Sequence, residues 1–250
     1  MGIFRGKRAL VVGGTGGIGL AMALALASRG AALTIHGGSS MERLRNAMAG
    51  ARKKLAGGGA VTGFLYPVQA PVEDAAASIL EQTIHINGPP DILILAYGPF
   101  KRHTLQDTTA DHWHFLVEHN LIFPGIMVSM AISDMITRGW GRILLFGGTN
   151  TAEIRGFTTT AAYSAAKTAL GTLAKSVAQS AGEWGVTCNV ICPGLTDTEY
   201  STPEERKYNR ERSPGGCAMA PGEIALAALG ILENPAFNGS VIPVDKGLWV

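Results

Sequence analysis

Tyr163 and Lys167 stand four residues apart in an alanine-rich stretch, Tyr163-Ser164-Ala165-Ala166-Lys167. On a helix that spacing puts both side chains on one face, an ammonium beneath a phenol. A free phenol titrates near pH 10 and is a poor base at neutral pH, but a fixed neighbouring cation favours phenolate. Each unit of lowered pKa requires about 1.4 kcal/mol of differential stabilisation, which one close, partly desolvated ammonium can supply. The pair is therefore chemically sufficient as a general acid/base. Asn120, between Glu118-His119 and Leu121, is a polar interruption of an apolar stretch and a third candidate. Taken alone, Tyr-x-x-x-Lys also fits an amphipathic helix with a tyrosine at its edge, so its weight depends on what else the chain carries.

A second motif lies near the N-terminus. The apolar run Ala9-Val12 is followed by Gly13-Gly14-Thr15-Gly16-Gly17-Ile18-Gly19 and at once by an Ala/Leu-rich helical pattern. Glycines are required where backbone turns tightly, approaches a pyrophosphate or packs helix against strand, and the helix N-terminus supplies free N–H groups and a positive dipole end. Strand before and helix after is the context that makes such a turn a dinucleotide site instead of an ordinary bend.

The elements that must position these groups follow from periodicity. Ala9-Val12, Ala32-His36, Val61-Tyr66, Ile92-Ala96, Arg142-Phe146, Thr187-Cys192 and Val241-Val244 read as strands. Helical patterns over Ile18-Ser28, Ser40-Leu55, Val72-Ile84, Asp111-Thr137, Thr160-Ser180 and Pro221-Leu232 separate them, and Ser39-Ser40-Met41-Glu42 reads as a capping box. Strand–helix alternation of this kind builds an α/β fold with a parallel sheet covered on both faces. We expect one domain over residues 1–250. Within it, the polar stretch 197–220, punctuated by Pro203, Pro214, Gly215 and Gly216, is expected to be a lid over a site.

Composition narrows the function classes. The chain of 250 residues is 46% hydrophobic and 16% charged with a formal net charge of +2, and its basic clusters, Arg52-Lys53-Lys54 and Lys101-Arg102-His103, are short and lack interleaved aromatics. Nucleic acid is therefore not an expected partner. No apolar run reaches the roughly 18 residues a spanning helix needs and no signal segment is evident, so no membrane association and a cytoplasmic location are expected. Cys188 and Cys192 fall on one strand about 13 Å apart, too far to bridge, and with Cys217 read as free thiols. His112, His114 and His119 do not converge as a ligand triad, so no metal is expected.

Taken together, these motifs resemble the short-chain dehydrogenase/reductase family. Gly13, Gly17 and Gly19 match its Gly-x-x-x-Gly-x-Gly spacing and Tyr163 and Lys167 its Tyr-x-x-x-Lys motif. Asn189-Val190-Ile191-Cys192-Pro193-Gly194 resembles its sixth strand and Val244-Asp245-Lys246-Gly247 its close. The resemblance implies a doubly wound Rossmann fold with a central seven-stranded parallel sheet, assembled as a homotetramer or homodimer through the helices near Asp111-Thr137 and Thr160-Ser180. It implies an NAD(P)-dependent oxidoreductase acting on a small-molecule carbonyl or alcohol, in which Tyr163 donates the proton, Lys167 grips the ribose and Asn120 holds a water. Cofactor contacts are implied at Gly13, Thr15, Gly17, Ile18, Gly19, His36, Gly38, Ser39, Val68, Ala96, Tyr97, Gly98, Tyr163, Lys167, Pro193, Gly194, Thr196 and Thr198.

The pattern also breaks. Alignment from Gly141-Arg142-Ile143 puts the family's carbonyl-polarising serine at Gly148, and counting back from Tyr163 puts it at Asn150; with a loop about two residues longer than usual the strand-anchored position is preferred, and Thr149, Asn150 or Thr151 could reach the same space. Losing one such donor costs ~2.7 to 4 kcal/mol in the barrier unless something replaces it. The family's Asn-Asn-Ala-Gly is Leu95-Ala96-Tyr97-Gly98, and the aspartate after the third strand is Pro67. No carboxylate ends the second strand, which runs His36-Gly37-Gly38-Ser39-Ser40 with Arg43 a turn further on, so NADP is the expected cofactor and NAD the alternative. The rival to a working enzyme is a nucleotide-binding regulatory or sensor protein with weak or no turnover.

Overall fold

The computed structural model describes residues 2–69 and 71–248. Seven strands alternate with helices: β1 (Arg8–Val12), α1 (Gly17–Ser28), β2 (Ala32–Gly37), α2 (Met41–Lys54), β3 (Val61–Leu65), α3 (Val72–Asn87) and β4 (Ile92–Leu95) form the first half. The second half comprises α4 (Ala110–Val117), a π-helical turn (Glu118–Ile122), α5 (Phe123–Thr137), β5 (Gly141–Phe146), α6 (Ala161–Ala181), β6 (Val186–Pro193), α7 (Pro203–Arg212), α8 (Pro221–Glu233) and β7 (Val241–Val244). All the strands pair in parallel, in the order β3-β2-β1-β4-β5-β6-β7. The expected doubly wound Rossmann sheet is the sheet observed.

Alternation along each strand decides which layer a side chain joins. Val11, Leu33, Ile35, Ile92, Ile94 and Leu144 enter one core with α1, α2 and α8, while Leu10, Val12, Leu93, Leu95, Ile143 and Leu145 enter the other with α3, α5 and α6. Strands buried on both faces read as continuous apolar runs for this reason. Strand order reverses between β1 and β4, opening a crevice at their carboxyl ends, where the glycine turn after β1 faces the segment after β4.

Three local features depart from the sequence reading. Ser40, not Ser39, caps α2, accepting from the Arg43 N–H at 3.3 Å, so no carboxylate completes a reciprocal box there. The unpatterned stretch 197–220 contains α7, a helix whose register comes from its ends: Thr202 and Glu205 cap each other's backbone N–H and Pro203 opens the first turn. The two ends of that excursion are zipped together, Asp197 N–H to Met219 O at 3.0 Å and Met219 N–H to Leu195 O at 2.8 Å. Finally, the helical run Ala110–Thr137 is, by length and composition, apolar enough to cross a membrane, contrary to the expectation that no segment reaches that length. Part of its apolar surface packs in the core, where Phe123, Met127, Val128, Ala131 and Met135 are buried.

Candidate active site

The first turn after β1 is shaped by close approach. Gly13 has φ +79°, and a Cβ there would lie 2.9 Å from the Tyr97 nitrogen, so the turn and the segment after β4 touch backbone to backbone. A Cβ on Gly19 would strike the Gly13 carbonyl, which fixes the close packing of α1 under the turn. His36, expected at the cofactor ribose, turns inward: it is buried, its Nδ1 accepts from the Gly13 N–H at 3.4 Å and its Nε2 bonds the Tyr66 carbonyl at 2.8 Å. Burial draws its pKa down to about 4, so a neutral ring donates to one partner and accepts from the other. His36 is a prop for the turn. Gly38 and Ser39 lie exposed beyond the end of β2, with open space around the Cα of Gly38. Thr15 packs over Gly37, Ile18 and Ala96 against the core on the α1 side, and Val68 against the other core.

Tyr97 follows the same logic. Its backbone lines the crevice, but its hydroxyl bonds the His119 Nδ1 at 3.0 Å and its ring meets Phe123 edge-on at 5.7 Å. The side chain therefore points into the helical layer, away from the crevice, and braces the π-helical turn. That turn carries Asn120 inward. The Asn120 amide nitrogen donates to the Pro99 and Leu116 carbonyls, each at 3.0 Å, while its Oδ1 is buried without a hydrogen-bond partner among the described residues. An unsatisfied buried acceptor is costly unless something comes to meet it. Gly98 keeps the space in front open: a Cβ there would stand 2.6 Å from Asn120 Oδ1 and 2.8 Å from Lys167 Nζ.

Lys167 and Tyr163 project from the first turns of α6. The Lys167 ammonium donates to the Phe146 carbonyl at the end of β5 at 2.9 Å and lies 5.8 Å from the centre of the Tyr163 ring. Burial brings its pKa down to about 8. Burial also pushes the Tyr163 phenol above its ordinary value, so in this state it holds its proton. Phe100 closes over Tyr163 edge-to-face at 4.9 Å. Asn120, Tyr163 and Lys167 are thus brought to one cleft.

The serine slot is occupied by backbone and by the tyrosine itself. A Cβ on Gly148 would sit 2.8 Å from Tyr163 Cε1 and 3.2 Å from its hydroxyl. Thr151, the nearest hydroxyl, accepts from the Gly148 N–H at 2.8 Å and donates to the Gly148 carbonyl at 3.0 Å, so it closes the longer loop on itself. Asn150 has φ +66° and accepts from Arg155 at 2.6 Å.

After β6, Gly194 packs on Asp245, where a Cβ would stand 2.7 Å from its Cα, and Pro193 is buried. Thr196 donates to the Gly194 carbonyl at 2.8 Å, and Thr198 accepts from the Tyr200 N–H at 3.2 Å. Two residues that the sequence reading did not place in the site follow directly. The Glu199 carboxylate accepts from the Gly17 N–H at 2.8 Å, and the Tyr200 hydroxyl lies over Gly16. An anion held at the N-terminus of α1 is a stand-in for the phosphate such a turn binds. Together with the orphaned Asn120 oxygen and the cradle that a Cβ at Gly98 would fill, it shows that these residues fit a dinucleotide.

The family described as short chain dehydrogenase matches residues 7–209. A 2-dehydro-3-deoxy-D-gluconate 5-dehydrogenase of Formosa agariphila is 29% identical over 98% of this chain and 93% of its own length. A D-beta-hydroxybutyrate dehydrogenase of Rhizobium meliloti is 31% identical over 80% of this chain and 77% of its own. Among solved structures, a 3-oxoacyl (acyl-carrier-protein) reductase from Agrobacterium tumefaciens C58 with NADP bound superimposes with a TM-score of 0.86 at 29% identity, covering 98% of this chain and 95% of that one. With that family model matching residues 7–209, a stretch that includes the glycine turn and the Tyr163–Lys167 pair, the chain belongs to the short-chain dehydrogenase/reductase family.

Proposed function

We propose that this protein is an NADP-preferring oxidoreductase that interconverts a carbonyl and an alcohol on a small molecule, with Tyr163 as general acid/base. The observation that carries the reading is the convergence of Tyr163, Lys167 and the unpaired Asn120 oxygen on one cleft beside a glycine turn that already holds an anion. A bound nicotinamide supplies or accepts the hydride. In reduction, Tyr163 passes its proton to the substrate oxygen. Lys167, charged below about pH 8, stabilises the phenolate left behind and reaches the ribose hydroxyls. Asn120 holds a water through its open Oδ1, from which the tyrosine is reprotonated. Gly13, Gly17, Ile18 and Gly19 would hold the pyrophosphate, Ala96 and Gly98 would border the ribose, and Pro193, Gly194 and Thr198 would take the nicotinamide side.

The preference for NADP rests on the end of β2, which carries no carboxylate and leads to Ser39, Ser40 and Arg43 at the start of α2. The NADP held by a close structural neighbour supports it. Relatives named as dehydrogenases of a gluconate derivative and of hydroxybutyrate support a small organic substrate. Phe100 and the aromatic–arginine contacts of Arg102 with Phe100 and Tyr208 form its outer wall. We place the protein in the cytoplasm, on its three free thiols.

The sensor reading is favoured by one observation: Gly148 offers no side chain, and the Thr151 hydroxyl is already spent on the Gly148 backbone. Titration with NADPH and NADH by nicotinamide fluorescence, followed by a panel of ketones and aldehydes, separates the two. Tyr163→Phe should lower kcat by about 10² or more, the usual worth of a positioned acid/base, with the NADPH Kd unchanged. Unaltered turnover in that variant removes Tyr163 from the chemistry, and NADPH binding with no turnover by the wild type supports the sensor.

A further inference from the structure

We propose that Glu199 and Tyr200 set the cofactor affinity and its NADP(H) bias, by occupying in the free enzyme the seats that the cofactor's phosphates take. The proposal rests on the reading of the glycine turn as a dinucleotide site. Three contacts carry it. The Glu199 carboxylate bonds the Gly17 N–H at 2.8 Å, in the first turn of α1. The Tyr200 hydroxyl and that same carboxylate cover Gly16 so closely that a Cβ there would run into both. The Arg43 guanidinium, in the first turn of α2, stacks 4.6 Å above the Tyr200 ring.

The segment is built to hold this pose. Thr198 N–H donates to Ser201 Oγ at 3.0 Å, and Arg206 from α7 donates to the Thr198 carbonyl at 2.8 Å and the Ser201 carbonyl at 3.1 Å. Among the described residues no cation pairs with Glu199, so the helix N-terminus is what satisfies its carboxylate. A carboxylate and a phosphate accept the same kind of hydrogen bond from the same N–H, and two anions at contact distance repel, so they exclude each other. A pyrophosphate therefore displaces Glu199. A 2′-phosphate, drawn to Arg43, displaces the Tyr200 stack as well, whereas NADH leaves that stack in place.

The lid is thus latched shut over the turn by contacts that cofactor binding must break. Apparent affinity is reduced by the fraction of molecules with the latch open, so a latch closed about ten to one raises the apparent Kd about tenfold. Removing it with Glu199→Ala and Tyr200→Ala together should lower the Kd for NADPH about tenfold, read by fluorescence titration. Tyr200→Ala alone should tighten NADPH more than NADH. An independent measurement uses the wild type. NADPH should speed trypsin cleavage at the exposed Lys207, Arg210 and Arg212 of α7, because the latch that holds α7 down has been displaced. An unchanged or weaker Kd in the double variant overturns the latch while leaving the cofactor assignment intact, as does cleavage that NADPH slows or leaves alone. Failure of both proteins to bind either nucleotide overturns the dinucleotide reading, and the latch with it.

Discussion

At the scale of single residues, space decides Gly148, and solvation decides His36 and His119. Gly148 is bare because the Tyr163 ring fills the volume a side chain would need, at 2.8 Å from the would-be Cβ. Gly148→Ala must therefore push the Tyr163 phenol aside by a few tenths of an ångström, and if Tyr163 is the acid/base proposed above, misplacement on that scale is costly to a near-attack geometry. We expect kcat to fall about tenfold with the NADPH Kd little changed; an unaltered kcat would mean that the ring has room to spare. His36 is buried and neutral, with a pKa lowered from 6.5 to about 4. The unfolded chain thus binds the extra proton first, and stability is full above pH 6.5 and lost as pH falls toward 4, by about 3 kcal/mol in total. His119, also drawn down by burial, acts in the same direction. Denaturant titrations at pH 7 and pH 4.5 should show most of this loss in the wild type and a smaller loss in His36→Gln. These residue roles were only half legible: the family resemblance implies cofactor contacts at His36 and Tyr97, but which way each side chain turns depends on neighbours that a motif does not contain.

At the scale of elements, the π-helical turn between α4 and α5 matters most. Periodicity over Asp111-Thr137 shows one helix, and the chain is helical throughout. It does not show the locally wide turn, because one extra residue leaves the apolar pattern nearly intact while rotating Asn120 into the cleft. The Tyr97 hydroxyl ties that turn to the end of β4 through His119. Tyr97→Phe should cost about 1 kcal/mol, the usual net worth of such a bond, in urea denaturation. A loss well below that would show that Phe123 and the ring packing brace the turn without it. Helix α7 escaped periodicity for the opposite reason: it buries no residue, so no apolar stripe marks it, and its caps and Pro203 alone signal its start.

At the scale of the whole molecule, the helices expected to meet other copies carry exposed apolar groups, with Trp113 38%, Ile122 45% and Met130 40% exposed along the α4–α5 run and an open groove beside α6 lined by Ala165, Thr168, Ala169 and Thr172. We expect sedimentation equilibrium to report a homotetramer or homodimer; a monomer at micromolar concentration would leave these faces without an occupant. The strand–helix alternation, the glycine turn and the Tyr–Lys pair were legible because each depends on signals local in the chain: apolar runs, helix-length spacers and a four-residue spacing. The doubly wound sheet came from the family resemblance, and the strand order from the structure. By itself the sequence therefore determined the order of the elements along the chain and the parallel sheet they build, while the crevice at the carboxyl ends of β1 and β4 follows from the strand order. Only the tertiary structure decided what meets across that crevice: Glu199 on Gly17, 182 positions apart, Tyr200 beneath Arg43, and the Asn120 oxygen left open toward Lys167. Such contacts join segments whose proximity arises only when the sheet closes, and no spacing along the chain encodes them.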